Sequence, residues 1–321
     1  MTAAKDMPSS STAPPVLAMI GLGRMGANLL RRLARAGFPV CGYDVSADAR
    51  SALAADPGIT LATGLAAAVS GLSVPRAVWI MLPAGEITEQ AIKSVAAMLA
   101  PGDIIIDGGN TDYHDTLRRA GELKAQGLHF VDVGVSGGVW GLELGYGLMF
   151  GGANAAIDRL MPLFQALAPA KDRGWVYCGP AGSGHFTKMV HNGIEYGLMQ
   201  SYAEGFALLR AKSDFALDVG AIAEAWRHGT VVRSWLLDLA AAELRGDAVM
   251  DSIAPVVADS GEGRWTVQEG LDLGVPLPAI SAALNVRLAS QGRGDYAARF
   301  LAKLRNAFGG HAVKASDKPK S

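Results

Sequence analysis

The stretch "VLAMIGLGRMGANLLRRLARAG" (Val16–Gly37) constrains this chain more than any other. A run of apolar residues, short enough for a buried strand, passes through three glycines. Residues with apolar side chains at helical spacing then follow and close on Gly37. A strand that is apolar on both faces needs cover on both sides, and a helix leaving its end must return the chain to a parallel neighbour. The same alternation continues through "PVCGYD" (Pro39–Asp44), the helical "SADARSALAAD" with Ser46 as N-cap, "RAVWIML" (Arg76–Leu82), "DIIID" (Asp103–Asp107) and "HFVDV" (His129–Val133). It predicts an α/β Rossmann domain with a doubly wound, mostly parallel sheet. Beyond about Gly184 strands disappear and Ala- and Leu-rich helical stretches take over, which predicts an all-α second domain. The boundary is expected near residue 180, in "GPAGSG". The reading is a flexible tail at 1–15, a Rossmann domain at 16–180, an all-α domain at 181–313 and a second tail at 314–321.

Bulk properties exclude several classes. With 321 residues, 50% hydrophobic and 18% charged, the chain can build two cores and is not disordered. A net charge of −1 without a basic block argues against nucleic acid. No apolar run reaches membrane-spanning length, and "MTAAKDMPSSSTAPP" has no apolar signal core. Two cysteines, Cys41 and Cys178, are too few for a disulfide framework or a metal cluster. A reduced, cytoplasmic protein without a metal is expected. The 40 glycines cluster in short groups after apolar runs, where turns approach ligands.

"GLGRMG" supplies Gly21, Gly23 and Gly26 as G-x-G-x-x-G between a predicted strand and a helix. In that context the glycines allow the tight turn, the approach of a pyrophosphate and close helix packing, and the helix N-terminus favours the anion. Asp44 ends the second strand, where a carboxylate binds ribose hydroxyls and repels a 2′-phosphate, so NAD is favoured over NADP. Arg50, a turn further on, leaves NADP open. The expected cofactor contacts are Gly21, Leu22, Gly23, Arg24, Met25, Gly26, Asp44, Met81, Leu82, Pro83 and Asn110.

"DGGN" (Asp107–Asn110) and "GVSGG" (Gly134–Gly138) follow predicted strands, and ligands bind beyond the carboxyl ends of such strands. Asn110, Ser136, Gly137 and Gly138 are therefore candidates for substrate. "HFTKMVHNGIEYGLMQ" (His185–Gln200) reads as a helix with Lys188, Asn192 and Glu195 on one stripe and His191 beside it. Phe186, Val190, Gly193, Ile194 and Gly197 form the opposite side, expected to pack in the α domain with the polar stripe facing the nicotinamide. Oxidation of an alcohol needs a base. Lysine ordinarily titrates near 10.4, and burial can bring it to about 7–8, where it serves as base and then acid. Lys188 suits that role and Glu195 a second proton transfer. A solvated face with an i,i+7 charge pair is the plainer alternative.

Taken together, "DGGNTDY", "GVSGGVWGLELG", "GHFTKMVHNGIEYG", "GEGRW" and "RNAFGGH" closely resemble the 6-phosphogluconate dehydrogenases (decarboxylating) in their short-chain bacterial form, over residues 16 to 313. The "KMVHNGIEY" run is specific to them. The resemblance implies hydride transfer from C3 of 6-phosphogluconate, then decarboxylation to ribulose 5-phosphate in the pentose phosphate pathway, without a metal. It implies Lys188 as general base and acid, Glu195 as the acid protonating C1, and His191 and Asn192 beside them. Asn110, Ser136, Gly137, Gly138, His191, Asn192 and Tyr196 match substrate contacts, and Arg264, Arg287, Arg305 and His311 match the phosphate set. Arg305 and His311 match a tail that reaches a neighbouring subunit's site, implying a homodimer or homotetramer. Val139 and Trp140 stand where long-chain members are acidic.

Two other readings compete. A 3-hydroxyisobutyrate-type β-hydroxyacid dehydrogenase would share the fold and lysine but not need Glu195 or the phosphate set. A non-catalytic nucleotide sensor would bind cofactor without turnover.

Overall fold

A computed structural model describes residues 16–245, 252–309 and 312–314. The tail expected at 1–15 lies outside these residues, as does that at 314–321 apart from Lys314.

The expected alternation builds one eight-stranded sheet. Its strands are β1 (Leu17–Ile20), β2 (Val40–Tyr43), β3 (Ile59–Leu61), β4 (Ala77–Ile80), β5 (Ile104–Asp107), β6 (His129–Ser136), β7 (Gly147–Gly152) and β8 (Trp175–Gly179), in the order β3-β2-β1-β4-β5-β6-β7-β8. All neighbours are parallel except β6 and β7. The intervening helices are α1 (Arg24–Arg35), α2 (Ala47–Ser51), α3 (Leu65–Ser70), α4 (Glu86–Ala96), α5 (Tyr113–Lys124), α6 (Gly141–Leu144) and α7 (Asn154–Leu167). Ser46 caps α2, as its position predicts.

The period of two along a strand sends alternate residues to two cores. Leu17 and Met19 of β1 join a cluster with Leu29, Leu30 and Leu33 of α1 and Leu160 and Phe164 of α7. Ala18 and Ile20 face the other way, toward Val69 of α3, Ile92 and Val95 of α4 and Leu123 of α5. The fold is therefore a doubly wound α/β Rossmann layer structure. Three strands escape the sequence reading. β3 is only three residues long, β7 ("GLMFGG") is half glycine, and β8 is a partly exposed edge. β6 runs further than expected because β7 pairs with it through Ser136↔Gly147.

The register places the strand ends that matter side by side. Ile20 pairs with Tyr43 and with Ile80, and Ile80 pairs with Asp107. Gly21, Asp44, Met81 and Gly108 therefore leave the sheet at one level, and β1 and β4 are the strands between which the winding reverses.

After β8 the described chain is helical: α8 (Ser183–Ala211), α9 (Val219–Trp226), α10 (Trp235–Leu244), α11 (Glu262–Asp272), α12 (Pro278–Ser290) and α13 (Asp295–Gly309). The chain divides into two compact units at Met189/Val190, inside α8 rather than in the "GPAGSG" turn. In the second unit Phe206, Ala223, Leu237 and Ala241 form a core, with Tyr202, Phe206 and Trp226 stacked. Asp218 and Ser234 cap α9 and α10 by accepting backbone N–H groups. No described helix is long and apolar enough to cross a membrane.

Candidate active site

The glycine loop after β1 has distinct demands at each glycine. Gly21 has φ +95°, and a Cβ there would lie 2.4 Å from the Met81 carbonyl oxygen. A Cβ on Gly26 would lie 2.0 Å from the Gly21 oxygen, so α1 can start here only with glycine. Gly23 meets nothing within 4 Å, which leaves open space over the start of α1. No side chain caps that start and its first turn holds no acid. Asp44 lies beside it. Its Oδ2 accepts the Leu22 N–H at 2.7 Å and its Oδ1 the Ser46 N–H at 2.8 Å. Each oxygen keeps a lone pair for a hydroxyl. Open backbone, uncapped helix and fixed carboxylate fit a dinucleotide: N–H groups for pyrophosphate and Asp44 for the ribose. Arg50 donates to the Asp44 and Val45 carbonyls, so a cation stands next to that carboxylate. Met81, Leu82 and Pro83 follow β4, with Met81 N–H donating to the Ile20 carbonyl.

Asn110 is exposed on the loop after β5. That loop is tied down by the fully buried Asp107, which accepts from Gly109 N–H at 3.1 Å and Thr111 Oγ1 at 2.9 Å. Asp107 also pairs with buried Arg119 at 3.2 Å, and Arg119 with Glu89 at 2.8 Å. Arg118 and Lys93 complete a cluster around Glu89. The Arg118 guanidinium first, then Arg119 and Lys93, hold the Glu89 carboxyl well below the usual carboxylate range. Its contribution to stability is thus present above the unfolded value near 4.3 and lost as pH falls below it. Glu89→Gln is expected to lose about 3 kcal/mol at pH 7, because removing one partner leaves buried charge uncompensated. Urea unfolding should show the deficit shrinking below pH 4.3; an equal deficit at neutral and acid pH would contradict this.

The start of α8 is pinned to β6 and β7 by residues the sequence reading did not single out. Asp132, fully buried in β6, accepts the Gly182 N–H at 2.7 Å and the His185 N–H at 2.8 Å. It places a carboxylate at the helix N-terminus, where the dipole favours it. His185 Nδ1 lies 2.7 Å from Thr116 Oγ1 of α5. A Cβ on Gly184 would lie 2.7 Å from both the Asp132 and Met149 oxygens, and one on Gly134 would lie 2.3 Å from Lys188 Cβ. Two glycines thus let α8 lie directly on the sheet and bury Lys188 to 7% exposure. Ser136 ends β6, and Gly137 (φ +127°) and Gly138 (φ +51°) turn the chain over Tyr146, which lies 3.3 Å from the position of a Gly137 Cβ.

In the second unit, α8 carries His191, Asn192, Glu195 and Tyr196. Asn192, 8% exposed, donates through Nδ2 to Glu262 Oε1 at 3.3 Å, and its Oδ1 lies 3.0 Å from His191 Nδ1. His191 Nδ1 is 3.8 Å from Glu195 Oε2. Tyr196 lies under the Arg287 guanidinium, 3.6 Å from the ring centre, and its hydroxyl lies 3.2 Å from Ser260 Oγ. Arg287 also donates to the Ala258 carbonyl, and Arg264 pairs with Asp259 at 3.0 Å. The expected phosphate residues Arg264 and Arg287 therefore flank the segment Ala258–Glu262. Arg305 is exposed on α13. His311 lies outside the described residues.

The apolar side expected to pack in the α domain needs correction at two positions: Ile194 is 53% exposed and Gly197 meets open space. Lys188 is buried, as its expected role as a base requires, and Asn192 is buried with it. Of the two glycines, Gly193 closes on a partner, with Thr266 2.7 Å from the position of its Cβ, and Phe186 meets Tyr113 edge-on. Asn192 can be buried because Glu262 satisfies its amide. Asp132, Arg119, Ser260 and Glu262 have no local motif of their own. Asp132 and Glu262 stood inside the quoted "HFVDV" and "GEGRW", and an acid in an apolar strand was the available signal. Among the described residues no cluster of three metal-ligating side chains occurs.

Residues 16–179 match the family model described as the NAD binding domain of 6-phosphogluconate dehydrogenase, and residues 184–303 match the 6-phosphogluconate dehydrogenase C-terminal domain. The NAD(+)-dependent, decarboxylating 6-phosphogluconate dehydrogenase of Haloferax volcanii is 40% identical over 302 residues, 94% of this chain and 99% of that protein. The Plasmodium falciparum 6-phosphogluconate dehydrogenase, solved in apo form and with NADP+ and 6-phosphogluconate, superposes with a TM-score of 0.79 at 27% identity, covering 95% of this chain and 67% of that one. A 3-hydroxyisobutyrate dehydrogenase from Salmonella typhimurium shares the fold, with a TM-score of 0.72 at 24% identity over 87% of this chain and 94% of that one. With both of its domains matched and a relative covered almost end to end, the chain belongs to the 6-phosphogluconate dehydrogenase family.

Proposed function

We propose that this chain converts 6-phospho-D-gluconate to D-ribulose 5-phosphate and CO2, with NAD as the favoured oxidant and NADP as a weaker one. The observation that carries the reading is a buried Lys188 on the same unbroken helix as His191, Asn192 and Glu195. NAD, when bound, supplies the acceptor for the hydride leaving C3.

Lys188 Nζ takes the proton of the C3 hydroxyl as the C3–H bond is given up, producing a 3-keto acid. The carboxylate at C1 is then β to a carbonyl. Breaking the C1–C2 bond sends its electron pair toward the C3 oxygen, and Lys188 returns its proton there. CO2 leaves, and an enediol remains. Glu195 delivers a proton to the carbon that lost CO2 while Lys188 takes back the enol proton at the C3 oxygen, which gives the ketose. His191 and Asn192 hold hydroxyl groups, and Asn110, Ser136, Gly137 and Gly138 bind the same sugar acid from their loops. Burial of Lys188 limits competition from water for its proton.

Arg287 stacked on Tyr196, with Ser260 and Arg264 on the same segment, supports a phosphorylated substrate. A 3-hydroxyisobutyrate-type enzyme would have no use for that set. Turnover of 6-phosphogluconate with none of 3-hydroxyisobutyrate is the expected result; the reverse would move the assignment. For the cofactor, Asp44→Ala should lower the NAD/NADP ratio of kcat/KM by about 10–100-fold, the worth of hydrogen bonds to a charged group. An unmoved ratio would mean that Asp44 does not read the ribose.

The active form is a homodimer or homotetramer, with Arg305 and His311 completing a neighbour's phosphate site. Support comes from α13, which exposes Tyr296, Phe300, Leu301 and Leu304 beside Arg305. Free Cys41 and Cys178 support a reducing, cytoplasmic setting.

A further inference from the structure

We propose that Glu262 is a positioning residue that fixes the tautomer of His191 through the carboxamide of Asn192; the link to catalysis rests on the function proposed above. Two close approaches bring Glu262 to the site. A Cβ on Gly193 would lie 2.7 Å from Thr266, and one on Gly263 would lie 2.7 Å from the Tyr196 ring. Glycine at both positions lets the start of α11 lie against α8, with the Glu262 side chain 3% exposed and 3.3 Å from Asn192 Nδ2.

An ionised carboxylate only accepts hydrogen bonds. It therefore selects the amide orientation with Nδ2 toward Glu262 and Oδ1 toward His191, where Oδ1 is 3.0 Å from Nδ1. A carbonyl oxygen also only accepts, so the single N–H of neutral His191 must be on Nδ1. The Glu195 carboxylate, 3.8 Å from the same nitrogen, favours that proton but lies beyond hydrogen-bond distance and cannot set it alone. In that tautomer Nε2 carries no proton and can accept from a sugar hydroxyl. With the amide reversed, an NH2 group would face Nδ1, the ring proton would move to Nε2, and His191 would become a donor instead.

The test is two-bond 1H–15N correlation of the histidine rings in the full-length protein without substrate. The His191 pattern is assigned by its disappearance in His191→Gln. Wild type should show a protonated Nδ1 and a bare Nε2. Glu262→Ala should shift the ring toward the Nε2-protonated form or a mixture. It should lower kcat about tenfold, with little change in NAD affinity. Glu262→Gln keeps the volume and offers both a donor and an acceptor, so it should fall between the two, and it serves if the alanine variant does not fold. A wild-type ring protonated on Nε2, or the same tautomer in wild type and both variants, would overturn the proposal. The spectra need no substrate. Failure of wild type to turn over 6-phosphogluconate would count against the function, and an unresponsive tautomer against Glu262.

Discussion

Lys188→Met is expected to abolish turnover, by about 10³-fold or more, while NAD still binds. Methionine keeps the volume of the buried lysine stem, so the contact with Gly134 survives and the variant folds. What is lost is the proton acceptor proposed for the C3 hydroxyl. A positioned general base contributes about 10²–10⁴-fold, and the same nitrogen is used again during loss of CO2, so the effect falls at the upper end. Single-turnover absorbance of reduced nicotinamide measures the oxidation step, and fluorescence titration measures NAD affinity. Near-normal turnover would remove Lys188 from the chemistry. Loss of NAD binding together with turnover would point to a structural role instead.

Gly134→Ala should lower kcat about 100-fold without unfolding the protein. The added Cβ would lie 2.3 Å from Lys188 Cβ and 2.8 Å from its Cγ, well inside contact distance. Neither atom belongs to a flexible chain end, so the turn of α8 that carries Lys188 must move away from β6. The close glycine contact at Gly184 and the Asp132 hydrogen bonds hold the turn before it in place. A displacement of about 1 Å at a catalytic group is enough to cost about 10²-fold. The measurement is kcat with KM for NAD. A fall in kcat with KM for NAD unchanged fits a displaced lysine, and unchanged kcat would mean that α8 tolerates the shift.

Much of the fold was legible because periodicity reports burial. Apolar strands β1, β4 and β5 carry no polar interruption before their last residue, and the glycine spacing after β1 has one structural use at a strand–helix junction. Short or glycine-rich strands gave no such signal, since β7 is half glycine and β3 spans three residues. For the site, sequence marks the side chains proposed to meet substrate but not those that hold them. Lys188, His191, Asn192 and Glu195 stand on one helix and could be read together. Asp132, Arg119 and Glu262 act across long sequence separations, and only the register of β5 with β6 and the close approach at Gly193 bring them in. The expected burial of the apolar side failed at Ile194 for the same reason. Hydropathy sends apolar residues inward, but Glu262, from a distant segment, meets the buried Asn192, and Ile194 is left outside.

Purified protein is incubated with 6-phosphogluconate and NAD, with reduced nicotinamide followed by absorbance and CO2 collected from the same reaction. The expected result is one CO2 for each reduced nicotinamide, with ribulose 5-phosphate as the product. Reduced nicotinamide without CO2 would contradict it and would leave a simple hydroxyacid dehydrogenase on the same fold.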